Sequence, residues 1–184
     1  MDTAKTCYLF FDLDGTVLTH DRRLEKETLD AMLRVQAMGH KLIMNTGRSR
    51  GGYLRKNADA ARIIPWDGTC FSASDIIFED QLLYENGVSW EDFSVWLEYC
   101  MEKRLDLWYC GRLDQQLLDF SRYASPMTND EMEEWRKTAE RLFGKNTLTN
   151  VSIMGVLEQE GLPESGLQVC QLPTYSDLFS RGMQ

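Results

Sequence analysis

The chain has 184 residues, 43% hydrophobic and 27% charged, enough to bury a real core and ordinary for a globular protein. Its 20 basic and 29 acidic residues give a net charge of -9, which argues against a broad nucleic-acid or anionic-membrane surface. No apolar run approaches membrane-spanning length, and the N-terminal MDTAKTCYLFFDLDG lacks the separate apolar region and cleavage site of a secretory signal, so a cytoplasmic location is expected.

Cys7 to Phe11 is a continuous apolar run ending at Asp12, which predicts a parallel strand buried on both faces. Leu24, Thr28, Ala31, Met32 and Val35 recur at helical spacing, and Gly39 closes that helix. Lys41-Leu42-Ile43-Met44 predicts a second buried strand, ending in Asn45-Thr46-Gly47-Arg48. The 34 positions from Asp12 to Thr46 suit a βαβ unit, which takes roughly 30 residues or more. Such a crossover makes the two strands parallel. It also places Asp12 and Thr46 at carboxyl ends, where open α/β sheets bind ligands.

Arg48 to Arg62 predicts a short helix and Thr69 to Ser74 a third strand. Ile76-Ile77-Phe78 and Leu82-Leu83-Tyr84 flank Glu79-Asp80-Gln81 as a hairpin. A capping-box-like Ser89-Trp90-Glu91-Asp92 opens a helix with Trp90, Phe93, Leu97, Cys100 and Met101 on its apolar stripe. Strands follow at Leu105 to Cys110 and Gln116 to Phe120. Thr128-Asn129-Asp130-Glu131 then starts a helix that Gly144 stops, and Val151 to Met154 and Leu167 to Leu172 finish as strands. The pattern changes near residue 80, from alternating βα units to a hairpin-and-helix mixture. An α/β core carrying an inserted second domain is expected.

Asp12-Leu13-Asp14-Gly15-Thr16 is the segment that limits the chemistry most. Alternate side chains of a strand point the same way, so Asp12 and Asp14 share one side where the strand meets solvent. Two close carboxylates repel unless a divalent cation or a shared proton relieves them. Gly15 supplies a tight turn and close backbone approach, and the Thr16 hydroxyl can anchor that turn. These residues suit a hard metal and an oxyanion, phosphate before others. A calcium loop is the poorer reading, because the third ligand pair and closing glutamate of an EF-hand are absent. Thr46 reads as a phosphate contact or as the cap of the next helix, and Arg48 as an anion contact or a surface charge.

His20 and His40 have no metal-spaced partner and read as peripheral. Trp108, Tyr109 and Arg112 read as a ligand-facing lining or as packing, and Trp90, Trp96 and Trp135 as helix packing. The five cysteines, without C-x-x-C spacing, read as scattered core thiols of a reducing compartment.

Asp12-Leu13-Asp14-Gly15-Thr16 on the first strand and Thr46-Gly47-Arg48 on the second resemble the first two motifs of the haloacid dehalogenase (HAD) superfamily. Phe71 to Tyr84, followed by an α+β insertion, is similar to its Cof-like branch. The resemblance implies an α/β fold: a HAD-like Rossmannoid parallel-sheet core, incomplete here, with an inserted α+β cap domain. The division is 1–80 for the first half of the core, 81–173 for the cap and 174–184 for a return segment to the core.

The implied activity is Mg²⁺-dependent hydrolysis of a small phosphorylated metabolite, a sugar phosphate or phosphorylated cofactor, through an aspartyl-phosphate. Asp12 would be the nucleophile and Asp14 the general acid–base. The Asp12 carboxylate and the Asp14 carbonyl would hold the metal, and Leu13, Thr46, Gly47 and Arg48 the phosphate. The family's catalytic lysine after the cap and its later Gly-Asp-x-x-x-Asp motif have no counterpart here, since the last lysine is Lys145. Ser72-Ala73-Ser74-Asp75 also replaces the family's Asn-Gly contact segment.

The 184-residue form is therefore expected to be inactive or a fragment. Tyr8-Leu9-Phe10-Phe11 would be a bare sheet edge open to self-association. The competing expectation is a non-catalytic phosphate-binding or partner-binding protein, and a phosphomutase would use the same nucleophile. Neither nucleic acid nor membrane is expected as a partner.

Overall fold

The computed structural model describes residues 5–55, 60–71, 74–155, 157 and 160–180. The chain forms two units, one from residues 1–48 and 56–85 and the other from residues 49–55 and 86–184.

The first unit contains β1 (Tyr8–Phe11), α1 (Lys26–Ala37), β2 (Lys41–Thr46), a short 3-10 helix (Ala60–Ile63), β3 (Gly68–Phe71), β4 (Asp75–Phe78) and β5 (Gln81–Glu85). Its sheet runs β1-β2-β3-β4-β5. β1 and β2 pair in parallel, Tyr8 opposite Lys41 and Phe11 opposite Met44, as the βαβ spacing predicts. β2 and β3 are also parallel, with Thr46 opposite Phe71, and the predicted hairpin appears as antiparallel β4 and β5. The fold class is thus α/β, around a mixed sheet whose strands β1 to β3 form a parallel core.

Asp67 ties this unit together. Its carboxylate accepts from the Leu42 N–H at 2.9 Å, the Gln36 amide at 2.9 Å and the Lys41 ammonium at 3.1 Å. Burial pushes the Asp67 carboxyl up, but these three donors together outweigh it and hold the group below its ordinary 3.8.

β1 departs from expectation. It is not buried on both faces, for Tyr8 is 57% and Phe10 64% exposed, while Leu9 and Phe11 are half-buried. The reason is its place at one end of the sheet, where only β2 flanks it. Tyr8 finds partial cover from the Phe78 ring, 5.8 Å away between centroids. The helix expected over 48–62 is also shorter, splitting into α2 (Arg50–Arg55), which belongs to the second unit, and the 3-10 helix.

The second unit adds α3 (Trp90–Lys103), β6 (Leu107–Gly111), β7 (Gln115–Leu118), α4 (Asn129–Phe143), β8 (Leu148–Met154), β9 (Leu167–Gln171) and β10 (Tyr175–Ser180). Its sheet runs β7-β6-β8-β10-β9, antiparallel throughout. Tyr175–Ser180, within the segment 174–184 expected to return to the first unit, forms β10 between β8 and β9, and residues 181–184 lie outside the described residues.

Both long helices start as their sequences predict. The Ser89 hydroxyl accepts from the Asp92 N–H at 3.0 Å, and Thr128 and Glu131 form a reciprocal capping box. Phe93, Trp96, Leu97 and Met101 of α3 pack with Tyr109, Val151, Ile153 and Leu178 of the sheet in one buried cluster. Strand alternation sends Trp108, Ser152 and Asp177 to the opposite face, paired in one cross-strand row. Tyr109 therefore does not line that face, and its hydroxyl donates to the Asn146 carbonyl.

Gly51 lets α2 lie against the β6–β7 turn, because a Cβ there would meet the Gly111 carbonyl oxygen at 2.3 Å. Ser49 fastens the contact, its hydroxyl accepting from the Gly52 N–H at 3.1 Å and the Gln115 amide at 2.9 Å. The cysteines are not all core thiols. Cys7 and Cys170 are exposed, Cys70 is half-buried, and Cys100 and Cys110 are buried. Among the described residues, no helix is long and apolar enough to cross a membrane.

Candidate functional site at the carboxyl ends of strands one and two

The chain leaves β1 through a tight turn that sorts its side chains. Leu13, Val17 and Leu18 are buried and anchor the loop, while Asp12, Asp14, Gly15 and Thr16 face solvent. Gly15 takes a φ of 80°, the left-handed region that glycine enters without strain. Its N–H donates to the Leu18 carbonyl at 2.9 Å, and the Leu18 N–H donates to the Leu13 carbonyl at 2.9 Å. The Thr16 hydroxyl donates to Asp12 Oδ2 at 2.9 Å, fixing the first carboxylate. With its side chain in the core, Leu13 can meet a ligand only through its main chain.

β2 ends one step away in the sheet. Thr46 is 5% exposed, and its hydroxyl accepts from the Arg48 N–H at 3.2 Å. Gly47 is exposed, and the place where its Cβ would stand is open to 4 Å. The Arg48 guanidinium turns to the first strand, donating from Nε to Asp14 Oδ2 at 2.7 Å and from Nη2 to Asp14 Oδ1 at 2.5 Å. The structure thus brings Asp14 and Arg48 into a two-pronged ion pair and joins Asp12 to Thr16. Parallel pairing of β1 and β2 sets Thr46 and Gly47 at the same sheet end.

Phe71, the last residue of β3, lies opposite both Thr46 and Asp75 in the ladder. Asp75 is fully buried there, beside Ser74, whose hydroxyl donates to the Phe71 carbonyl at 2.9 Å. Sequence reasoning named Asp75 only as a departure from a family pattern; a charged residue opening an apolar strand was the available signal. Ser72 and Ala73 lie outside the described residues. His40 is structural, its Nδ1 accepting from the Cys7 N–H at 3.2 Å.

Among the described residues, no three His, Cys, Asp or Glu side chains converge as a metal cage. Mg²⁺ does not need one, since it binds through one or two carboxylates and completes its shell with water and substrate phosphate. The Asp12 carboxylate and the Asp14 main-chain carbonyl are hard oxygen donors of the kind it takes. The residues present fit such an ion.

The chain matches the family described as haloacid dehalogenase-like hydrolase over residues 9–160. It is 29% identical over 82 residues to the protein named Putative phosphatase YkrA of Bacillus subtilis (strain 168), a match covering 42% of this chain and 29% of that one. The fold is similar to that of BT1666 from Bacteroides thetaiotaomicron, described among phosphatases of this superfamily, with a TM-score of 0.73 and 18% identity over 100% of this chain and 70% of the other. It is also similar to BT4131, described as a subclass IIB sugar phosphatase, with a TM-score of 0.67 and 17% identity over 96% and 71% of the two chains. The family match spans most of the sequence and includes both strand-end motifs, and the chain therefore belongs to the haloacid dehalogenase-like hydrolases.

Proposed function

We propose that the protein is a cytoplasmic, Mg²⁺-dependent phosphomonoesterase acting on a small phosphorylated metabolite, a sugar phosphate or a phosphorylated cofactor. The observation that carries this reading is Asp12 at the open end of β1, its Oδ2 held by Thr16, with Thr46 and Gly47 at the neighbouring strand end. In the first step an Asp12 carboxylate oxygen attacks phosphorus and the bond to the substrate oxygen breaks, with Asp14 giving its proton to the departing alkoxide. In the second, Asp14 takes a proton from water, whose oxygen attacks the same phosphorus. Orthophosphate leaves and Asp12 is restored. The Thr46 hydroxyl and the Leu13 and Gly47 N–H groups supply donors for phosphate oxygens. The Asp12 carboxylate and the Asp14 carbonyl would hold Mg²⁺, which would supply the charge neutralisation that is most of what phosphoryl transfer requires.

The second reading is a non-catalytic phosphate- or partner-binding protein. Hydrolysis of 4-nitrophenyl phosphate with and without MgCl₂ separates the two. The enzyme reading expects magnesium-dependent release of nitrophenolate, reduced by about 10³-fold or more in Asp12→Asn. Turnover that survives this substitution removes Asp12 as the nucleophile. We also propose that the exposed edge of β1 supports self-association.

A further inference from the structure

We propose that Arg48 is a positioning residue for Asp14 and not a ligand of the phosphate. The inference rests on the reading of Asp14 as the acid–base group. Its ground is the shape of the contact. An arginine fork and a carboxylate match two to two, and both Asp14 oxygens are engaged, at 2.7 and 2.5 Å. A carboxylate gripped by one oxygen can still swing about its bond; one gripped by both is fixed in a single orientation.

The arginine is the more buried member, with its side chain 13% exposed against 47% for Asp14. Its main chain is pinned as well, through the N–H to Thr46 Oγ1 at 3.2 Å. The clamp therefore runs from the end of β2 to the loop after β1, bridging residues 34 positions apart. Two of the guanidinium donors face Asp14, and the Thr46 hydroxyl and the Leu13 and Gly47 amides offer donors to phosphate without them. This division makes sense of two adjacent carboxylates given different tasks. Asp12 is steadied through one oxygen by a neutral hydroxyl, leaving the other free to attack, whereas Asp14 is aimed by a cation.

Two measurements on the full chain test the proposal. The first is calorimetric titration with inorganic phosphate in MgCl₂, comparing the parent with the charge-balanced double variant Asp14→Asn/Arg48→Met, which preserves net charge and the packing of the arginine stem. A spectator of phosphate predicts affinity within about threefold of the parent; a direct ligand predicts a loss of about tenfold or more, which overturns the proposal. The second compares hydrolysis of 4-nitrophenyl phosphate with that of an alkyl phosphate by Arg48→Lys, which keeps the charge and loses the fork. Alkoxide departure needs the proton that nitrophenolate does not, so kcat for the alkyl ester falls about tenfold further than for the aryl ester, with KM little changed. Equal losses on both esters overturn the positioning role alone. Absence of turnover on both esters by the parent chain overturns the acid–base reading beneath it.

Discussion

The two sheets solve opposite problems. In the second unit, one face of the antiparallel sheet is sealed by long helices, and Phe93, Trp96, Leu107, Tyr109, Leu118 and Phe120 are at most 1% exposed. In the first unit the sheet ends at β1 with Tyr8 and Phe10 more than half exposed, and the candidate site sits on the loops that follow β1 and β2. The second unit is organised around burial and the first around what its strand ends present. A substitution of one kind should therefore act very differently in the two.

Phe93→Ala should give the largest loss, about 3–5 kcal/mol, since the ring is fully buried and stacks edge-on against Tyr109 at 5.7 Å. Phe10→Ala in β1 should cost under about 1 kcal/mol because its ring already faces water. Urea unfolding of both variants checks the contrast, and equal losses would dissolve it. Helix starts give the next step down. Thr128→Ala removes a capping box and should cost about 1 kcal/mol, whereas Glu25 before α1 makes no side-chain cap, so Glu25→Ala should change little. Ser176→Ala should be neutral or gain up to about 1 kcal/mol, because the Ser176 hydroxyl is buried without a partner on the helix-covered face.

The smallest effect is one of sign, and it sets one carboxylate of each unit against the other. Asp67 titrates below its ordinary 3.8, so its contribution is present above that pH and is lost as pH falls through the lowered value. Burial pushes Asp177 above 3.8 and the Ser152 hydroxyl only partly offsets this, so stability is highest below 3.8 and declines as pH rises through the raised value. At pH 7, Asp67→Asn should thus destabilise and Asp177→Asn should stabilise. Melting curves from pH 3 to 7 on the two variants check this; changes of the same sign would refute it.

Much of the first unit was legible because its signals were local. Two apolar runs, one helical repeat between them and a 34-position interval were enough to pair β1 with β2. β10 escaped because Ser176 occupies a core position where an apolar residue would have completed the alternation Tyr175 to Ser180. The span 48–62 is not one element, and nothing local in it announces that Gly51 and Gly52 lie close against residues of the β6–β7 turn. At the site, the motifs gave Asp12, Asp14, Thr46 and Gly47 their places. The partner of Arg48 lay beyond them, since a pairing across 34 residues leaves no mark in either motif.

The placement of the five thiols turns the chain into its own gauge of opening. Cys7 in the first unit and Cys170 in the second stand ready for a thiol-reactive dye in the native protein. Cys70 is slowed by partial cover, while burial pushes Cys110 up to about 11 and raises Cys100 further still, so neither offers thiolate until its surroundings loosen. Labelling rates resolved by peptide would then time the loosening of each half separately, with an internal reference cysteine on both sides.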